Sequence, residues 1–97
     1  MIVKGTTKSG IKFKLDDKIK DDARLLFLLT KAQKNEEENP MEAANNIMTL
    51  LSLIFGSDDN VYLFMNEVAD KHKGVCSSSD MISEIMDMFE AINAKNS

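Results

Sequence analysis

Ile11-Lys12-Phe13-Lys14-Leu15 alternates apolar and polar positions without a break. On an extended chain this puts Ile11, Phe13 and Leu15 on one face and both lysines on the other. Ile2–Thr7 alternates less strictly but is rich in β-branched residues, and Ser9-Gly10 supplies a turn between the two segments. Residues 1-18 therefore predict a β-hairpin. A lone hairpin is marginal in water, so its apolar face must lie on helices or on another subunit.

From Asp21 the apolar period lengthens. Asp21 and Asp22 suit a helix N-terminus, where carboxylates meet the positive end of the dipole. Leu25 to Leu29 then run without a polar break; five consecutive apolar positions circle a helix, which predicts a central or partner-covered helix over 21-34. The charged run Lys34-Asn35-Glu36-Glu37-Glu38 reads as a solvated connection. Asn39-Pro40-Met41-Glu42 offers an N-cap, a first-turn proline and an acidic residue three places after the cap. Ala44, Ile47, Met48, Leu51, Ile54 and Phe55 follow at helical spacing and Gly56 stops them, predicting a helix over 40-55. A third helix over 58-73 is capped within Ser57–Asn60, buries Val61, Phe64, Met65, Val68 and His72, and ends on Lys71-His72-Lys73 and Gly74. A fourth, over 79-94, turns Ile82, Ile85, Met86, Phe89 and Ile92 inward and Ser83, Glu84, Asp87 and Glu90 outward. Residues 95-97 are expected to fray as a flexible tail. The fold class is α+β, mostly α: a single domain over 1-97 with an N-terminal two-stranded hairpin and about four helices in a small bundle.

Composition changes this picture little. With 97 residues, 43% hydrophobic and 29% charged, the chain suffices for one core and no second. A single cysteine, Cys76, excludes an internal disulfide and suits a reducing compartment. The Leu25–Leu29 run is far shorter than the roughly 20 residues that span a bilayer, and Met1-Ile2-Val3-Lys4 does not open a secretory signal. A cytoplasmic domain is expected, with no membrane partner.

Charge is divided. Residues 1-20 hold six lysines against Asp16 and Asp17, whereas the remainder holds six basic and fourteen acidic groups. A net charge of −4 disfavours nucleic acid, and the basic end has no arginine and only Phe13 for stacking. The lysines serve to keep strand edges from pairing with other chains; alternatively, a basic end of one subunit meets an acidic face of another.

Chemistry is sparse. His72 and Cys76 are the one candidate nucleophile pair, but Gly74 breaks the helix between them and the serines beside them have a sufficient role as caps. Asp58-Asp59-Asn60 lacks the spacing and twelfth-position glutamate of a calcium loop. Glycines 5, 10, 56 and 74 are isolated, so no phosphate-cradling loop can be assembled. No catalytic residue, cofactor, metal or small-molecule substrate is expected. Seven methionines stand out, because methionine is over-used on adaptable binding surfaces. Met48, Met65 and Met86 read as core. Met41, Met81 and Met88, with Leu25 and Leu28 from the first helix, form the candidate partner-binding or oligomer patch.

Taken in order, a lysine-rich hairpin strand (Ile11–Leu15), a leucine-rich helix (Asp21–Thr30) and an acidic linker (Glu36–Glu38) lead to a helix ending Leu51–Gly56. An acidic helix (Asp58–His72) and a final amphipathic helix complete the chain. This order, over roughly residues 2-95, resembles the small tail assembly chaperones of long-tailed bacteriophages. The resemblance implies a non-enzymatic protein of the bacterial host cytoplasm, absent from the mature virion. Its implied role is to bind the tape measure protein and help recruit the tail tube protein. It further implies a homo-oligomer, such as a ring or spiral, that covers apolar surface until a client displaces it, and a short form accompanied by a frameshifted long one. Ala94-Lys95-Asn96 permits the slippery sequence A AAA AAC, as does Gln33-Lys34-Asn35. The alternative is a structural virion protein such as a head-tail connector or tail-completion subunit. A helix-turn-helix regulator fits less well, because its reading helices would be acidic.

Overall fold

The computed structural model describes residues 1–35 and 38–96. Strands β1 (Ile2–Thr6) and β2 (Lys12–Asp16) form an antiparallel hairpin with Val3 opposite Leu15 and Gly5 opposite Phe13. Those four face the helices, while Lys4 opposite Lys14 and Thr6 opposite Lys12 form the outer face. The turn closes through Thr7 N–H to the Ile11 carbonyl (2.9 Å) and Gly10 N–H to the Thr7 carbonyl (3.0 Å). Gly10 takes the left-handed φ of 103° that a three-residue hairpin loop demands at its last position. Gly5 is required for a different reason. A Cβ built there would lie 2.6 Å from Cζ of Phe13, so the strand lacks a side chain where the ring lies over it.

A 3-10 turn, Asp17–Asp21, leads from β2 into the first helix and was not expected from the sequence. Helix α1 spans Ala23–Asn35, later than the predicted start at 21. Asp22 caps it, accepting from the Arg24 N–H at 3.0 Å. Helix α2 is Pro40–Phe55. Asn39 Oδ1 accepts from the Glu42 N–H at 3.2 Å, and Gly56 ends the helix in the left-handed conformation, φ 78°. Helix α3 is Asp58–Lys71, capped by Ser57. It stops before 73 because Lys73 and Gly74 both turn left-handed and the Gly74 N–H returns to the Ala69 carbonyl at 2.7 Å. Helix α4 is Ser78–Asn96, with Ser77 Oγ accepting from the Asp80 N–H. It runs past the predicted end at 94; of the tail, Ser97 lies outside the described residues, as do Glu36 and Glu37 of the acidic connection.

One core joins the inner face of the hairpin to all four helices, with Leu25, Ile47, Leu51, Val61, Ile85 and Met88 among its most buried members. Helix α4 is its centre, touching β1, the 3-10 turn and each of the other helices. Such a helix is covered on more than one side, and this corrects the single stripe expected of it. Met81 and Met88 are buried, Glu84 is buried rather than outward, and Met86 is exposed. In α2, likewise, Leu50 is buried and Met48 exposed. Helix α1 packs mainly on α2. Only one side of its apolar run is therefore covered: Leu25 and Leu29 are buried, while Leu26 and Phe27 face outward. No helix of the described residues is long and apolar enough to cross a membrane.

Candidate functional site

Two features stand apart from ordinary core and surface. The first is a polar cluster beneath the hairpin turn. The turn brings Thr7 and Ser9 down onto α4, and the end of α3 brings His72 to the same place. Glu84, only 2% exposed, is the centre. Ser9 Oγ lies 2.8 and 2.7 Å from its two carboxylate oxygens, and His72 Nε2 lies 2.9 Å from Oε2. On the other side of the ring, His72 Nδ1 is 3.4 Å from Asp80 Oδ1. Thr7 Oγ1 lies 3.2 Å from Ser9 Oγ and accepts from the Ile11 N–H at 3.1 Å.

Burial pushes the Glu84 carboxyl up, but hydrogen bonds from Thr7, Ser9 and His72 outweigh it and hold the group below its ordinary value. Glu84 is then a carboxylate that can only accept, so His72 Nε2 carries the proton between them. The cluster ties three elements together. It does not aim a nucleophile, because the Ser9 hydroxyl is engaged by a carboxylate and His72 Nε2 faces that same carboxylate. Cys76 is half-buried, and burial followed by the nearby charge of Asp80 pushes its thiol up, away from the reactive thiolate. Among the described residues no group of three or more His, Cys, Asp or Glu side chains is placed to hold a metal ion.

The second feature is an open apolar groove of about 560 Å³ between the first half of α1 and the second half of α2. Ala23, Arg24, Phe27 and Leu28 form one wall, and Thr49 and Leu53 the other. Phe27 is 63% exposed at its lip, and Lys31 Nζ stands 5.4 Å from its ring centroid. The Arg24 guanidinium forks onto Asp22 at 2.7 and 3.0 Å. Helix α1 carries Arg24, Lys31 and Lys34 and no acidic residue; with Arg24 paired to Asp22, Lys31 over the Phe27 ring is the cation at the groove's lip. A groove between two helices with an aromatic lip suits an amphipathic helix of a partner.

The expected patch is corrected by these positions. Leu25, Met81 and Met88 lie in the core and cannot meet a partner. Leu28 is half-buried and lines the groove. Met41, 74% exposed, lies at the opposite end of α2 and belongs to no common patch with it. Phe27, Leu53 and Arg24 replace them. Phe27 was detectable, since at about 100° per residue it stands roughly 200° from the buried Leu25. Part of the basic hairpin also finds its acidic partner within the chain, Lys8 Nζ lying 3.7 Å from Asp87 and 3.8 Å from Glu90 of α4. Comparison with known proteins finds no matching family model, no matching curated protein and no matching solved structure.

Proposed function

We propose that the chain is a non-enzymatic phage tail assembly chaperone that binds the tape measure protein and helps recruit tail tube subunits. The observation that carries this is the α1–α2 groove. A chain of 97 residues leaves Phe27, Leu28 and Leu53 wholly or partly uncovered around one opening, and an exposed apolar patch on a small domain marks an interaction site. The order of elements that resembles the tail chaperones supplies the client class. A long apolar helical client such as a tape measure protein offers the side chains such a groove accepts, and the polar Glu84 cluster has the role of seating the hairpin on the bundle. In this reading the protein acts in the host cytoplasm and is left behind by the finished virion.

The test is co-expression with the tape measure protein of the same tail gene cluster. The reading expects the client to become soluble and to co-purify with this chain, and expects purified virions to lack the chain. Stoichiometric presence in virions would favour the structural alternative and overturn the chaperone reading.

A further inference from the structure

The hairpin is a sheet of two strands, so β2 has an outer edge with no strand beside it among the described residues. The hydrogen bonds at the two ends of the ladder fix which groups point there. Thr7 N–H meets the Ile11 carbonyl and Asp17 N–H meets the Met1 carbonyl, both at 2.9 Å. Counting by twos between them, Gly5 with Phe13 and Val3 with Leu15 are the hydrogen-bonded pairs. Lys12 and Lys14 therefore turn their N–H and C=O groups away from β1, where no other backbone group of the described residues meets them. The other strand is flanked differently, since α4 packs against β1.

Beside that edge lies an open hollow of about 250 Å³ between β2 and α3. Phe13, Phe55 and Phe64 line it, and Leu63 and Glu67 stand exposed on its α3 side. Leu63 is 60% exposed, an apolar side chain at the rim with nothing over it. On the outer face of the hairpin Lys12 and Lys14 are exposed and have no ion-pair partner among the described residues. A strand laid along β2 meets these two surfaces in alternation. Its residues opposite Lys12 and Lys14 project outward among ammonium groups, and the residue between them projects inward over the hollow. Glu67 rejects a carboxylate at that inward position. The edge thus fits a segment that reads acidic, apolar, acidic.

We propose that the β2 edge receives an extended acidic segment of a partner protein as a third strand, with an apolar side chain of that segment set into the hollow beside α3. Backbone hydrogen bonds to Lys12 and Lys14 supply the hold, and the alternation of side chains supplies the selectivity. Lysines on a strand edge disfavour strands that cannot neutralise them; an acidic strand neutralises them and is selected. A second copy of this chain is not the occupant. Its β2 carries the same lysines, its β1 has no acidic residue, and no acidic–apolar–acidic triplet occurs in the sequence. The surface shares no residue with the α1–α2 groove. It is a second docking site, beyond the proposed function and independent of it.

The probe is a fluorescein-labelled peptide, Thr-Val-Glu-Leu-Glu-Val-Thr, titrated with the full chain and followed by fluorescence anisotropy. It should bind. The double variant Lys12→Glu, Lys14→Glu should weaken binding more than roughly tenfold and should gain binding to the same peptide with lysine in place of glutamate. Both positions are exposed, and circular dichroism confirms that the variant folds. Leu63→Glu tests the hollow with both lysines intact and should also weaken the peptide. Amide exchange followed by NMR should show Lys12 and Lys14 protected in the saturated complex. Phe27→Glu, in the separate groove, should bind the peptide as the unmodified chain does. No binding at millimolar peptide, or equal binding of a heptaglutamate, would overturn the proposal; the second result would mean bare attraction of charge. Loss of binding in Phe27→Glu, or unprotected Lys12 and Lys14 amides in the complex, would overturn it as well.

Discussion

Replacing Glu84 with glutamine tests whether the buried carboxylate seats the hairpin turn. The substitution keeps the shape and leaves an acceptor for Ser9 and a donor for His72, but removes the charge. The contacts with Thr7, Ser9 and His72 change from charge-assisted to neutral. The difference is about 1 kcal/mol each. Relief from burying a charge returns part of this, leaving a net loss of about 1–2 kcal/mol. For a chain of this length that lowers the melting temperature by about 5–15 °C at pH 7. The pH dependence is the sharper signature. The folded pKa of Glu84 lies below its unfolded value, so its contribution is complete above the unfolded carboxylate value of about 4.3 and disappears as pH falls through the folded one. The gap between wild type and Glu84→Gln, present at pH 7, should close as the pH falls below about 4. Thermal unfolding followed by circular dichroism across that range measures it. A variant as stable as wild type at pH 7, or a gap unchanged at pH 3, would refute the reasoning.

Gly5→Ala should destabilise by about 1–2 kcal/mol although alanine ordinarily improves a strand, because the new Cβ must displace the Phe13 ring. In a Phe13→Leu background the same change should be neutral or stabilising, as chemical denaturation of the four variants would show. Met88→Ala, at a fully buried position, should cost about 2–5 kcal/mol in urea unfolding; a loss under 0.5 kcal/mol, of the order of an ordinary surface change, would mean that Met88 is not core. The Asn46 Nδ2 amide is buried without a hydrogen-bond partner among the described residues. Asn46→Leu should therefore raise stability by about 1 kcal/mol, and a lower melting temperature would show that the amide is satisfied.

Much of the fold was legible because its signals are local. The strict alternation at Ile11–Leu15, the Asn39-Pro40 start and Gly56 stop of α2, and the Ser57 cap of α3 each act within a few residues. What the sequence hid depends on which elements touch. Helix α4 is covered from several sides, so a one-stripe pattern misplaced Glu84, Met86 and Met88. The run Leu25–Leu29 names five apolar residues and cannot say which of them α2 will cover. Leu25 went to the core, and Phe27 was left at the lip of the groove. Glu84 carries no local mark of burial, because its partners Ser9 and His72 are distant in the chain and converge only when the hairpin folds onto α4.

The central claim is that the α1–α2 groove receives a protein partner. Its most direct test is the amount of tape measure protein kept soluble by the unmodified chain and by Phe27→Glu. Phe27 is exposed, so the variant should melt within a few degrees of wild type. The account predicts that it nevertheless leaves the client in the pellet while the unmodified chain holds it in solution. Equal solubilisation by a folded Phe27→Glu variant would contradict it.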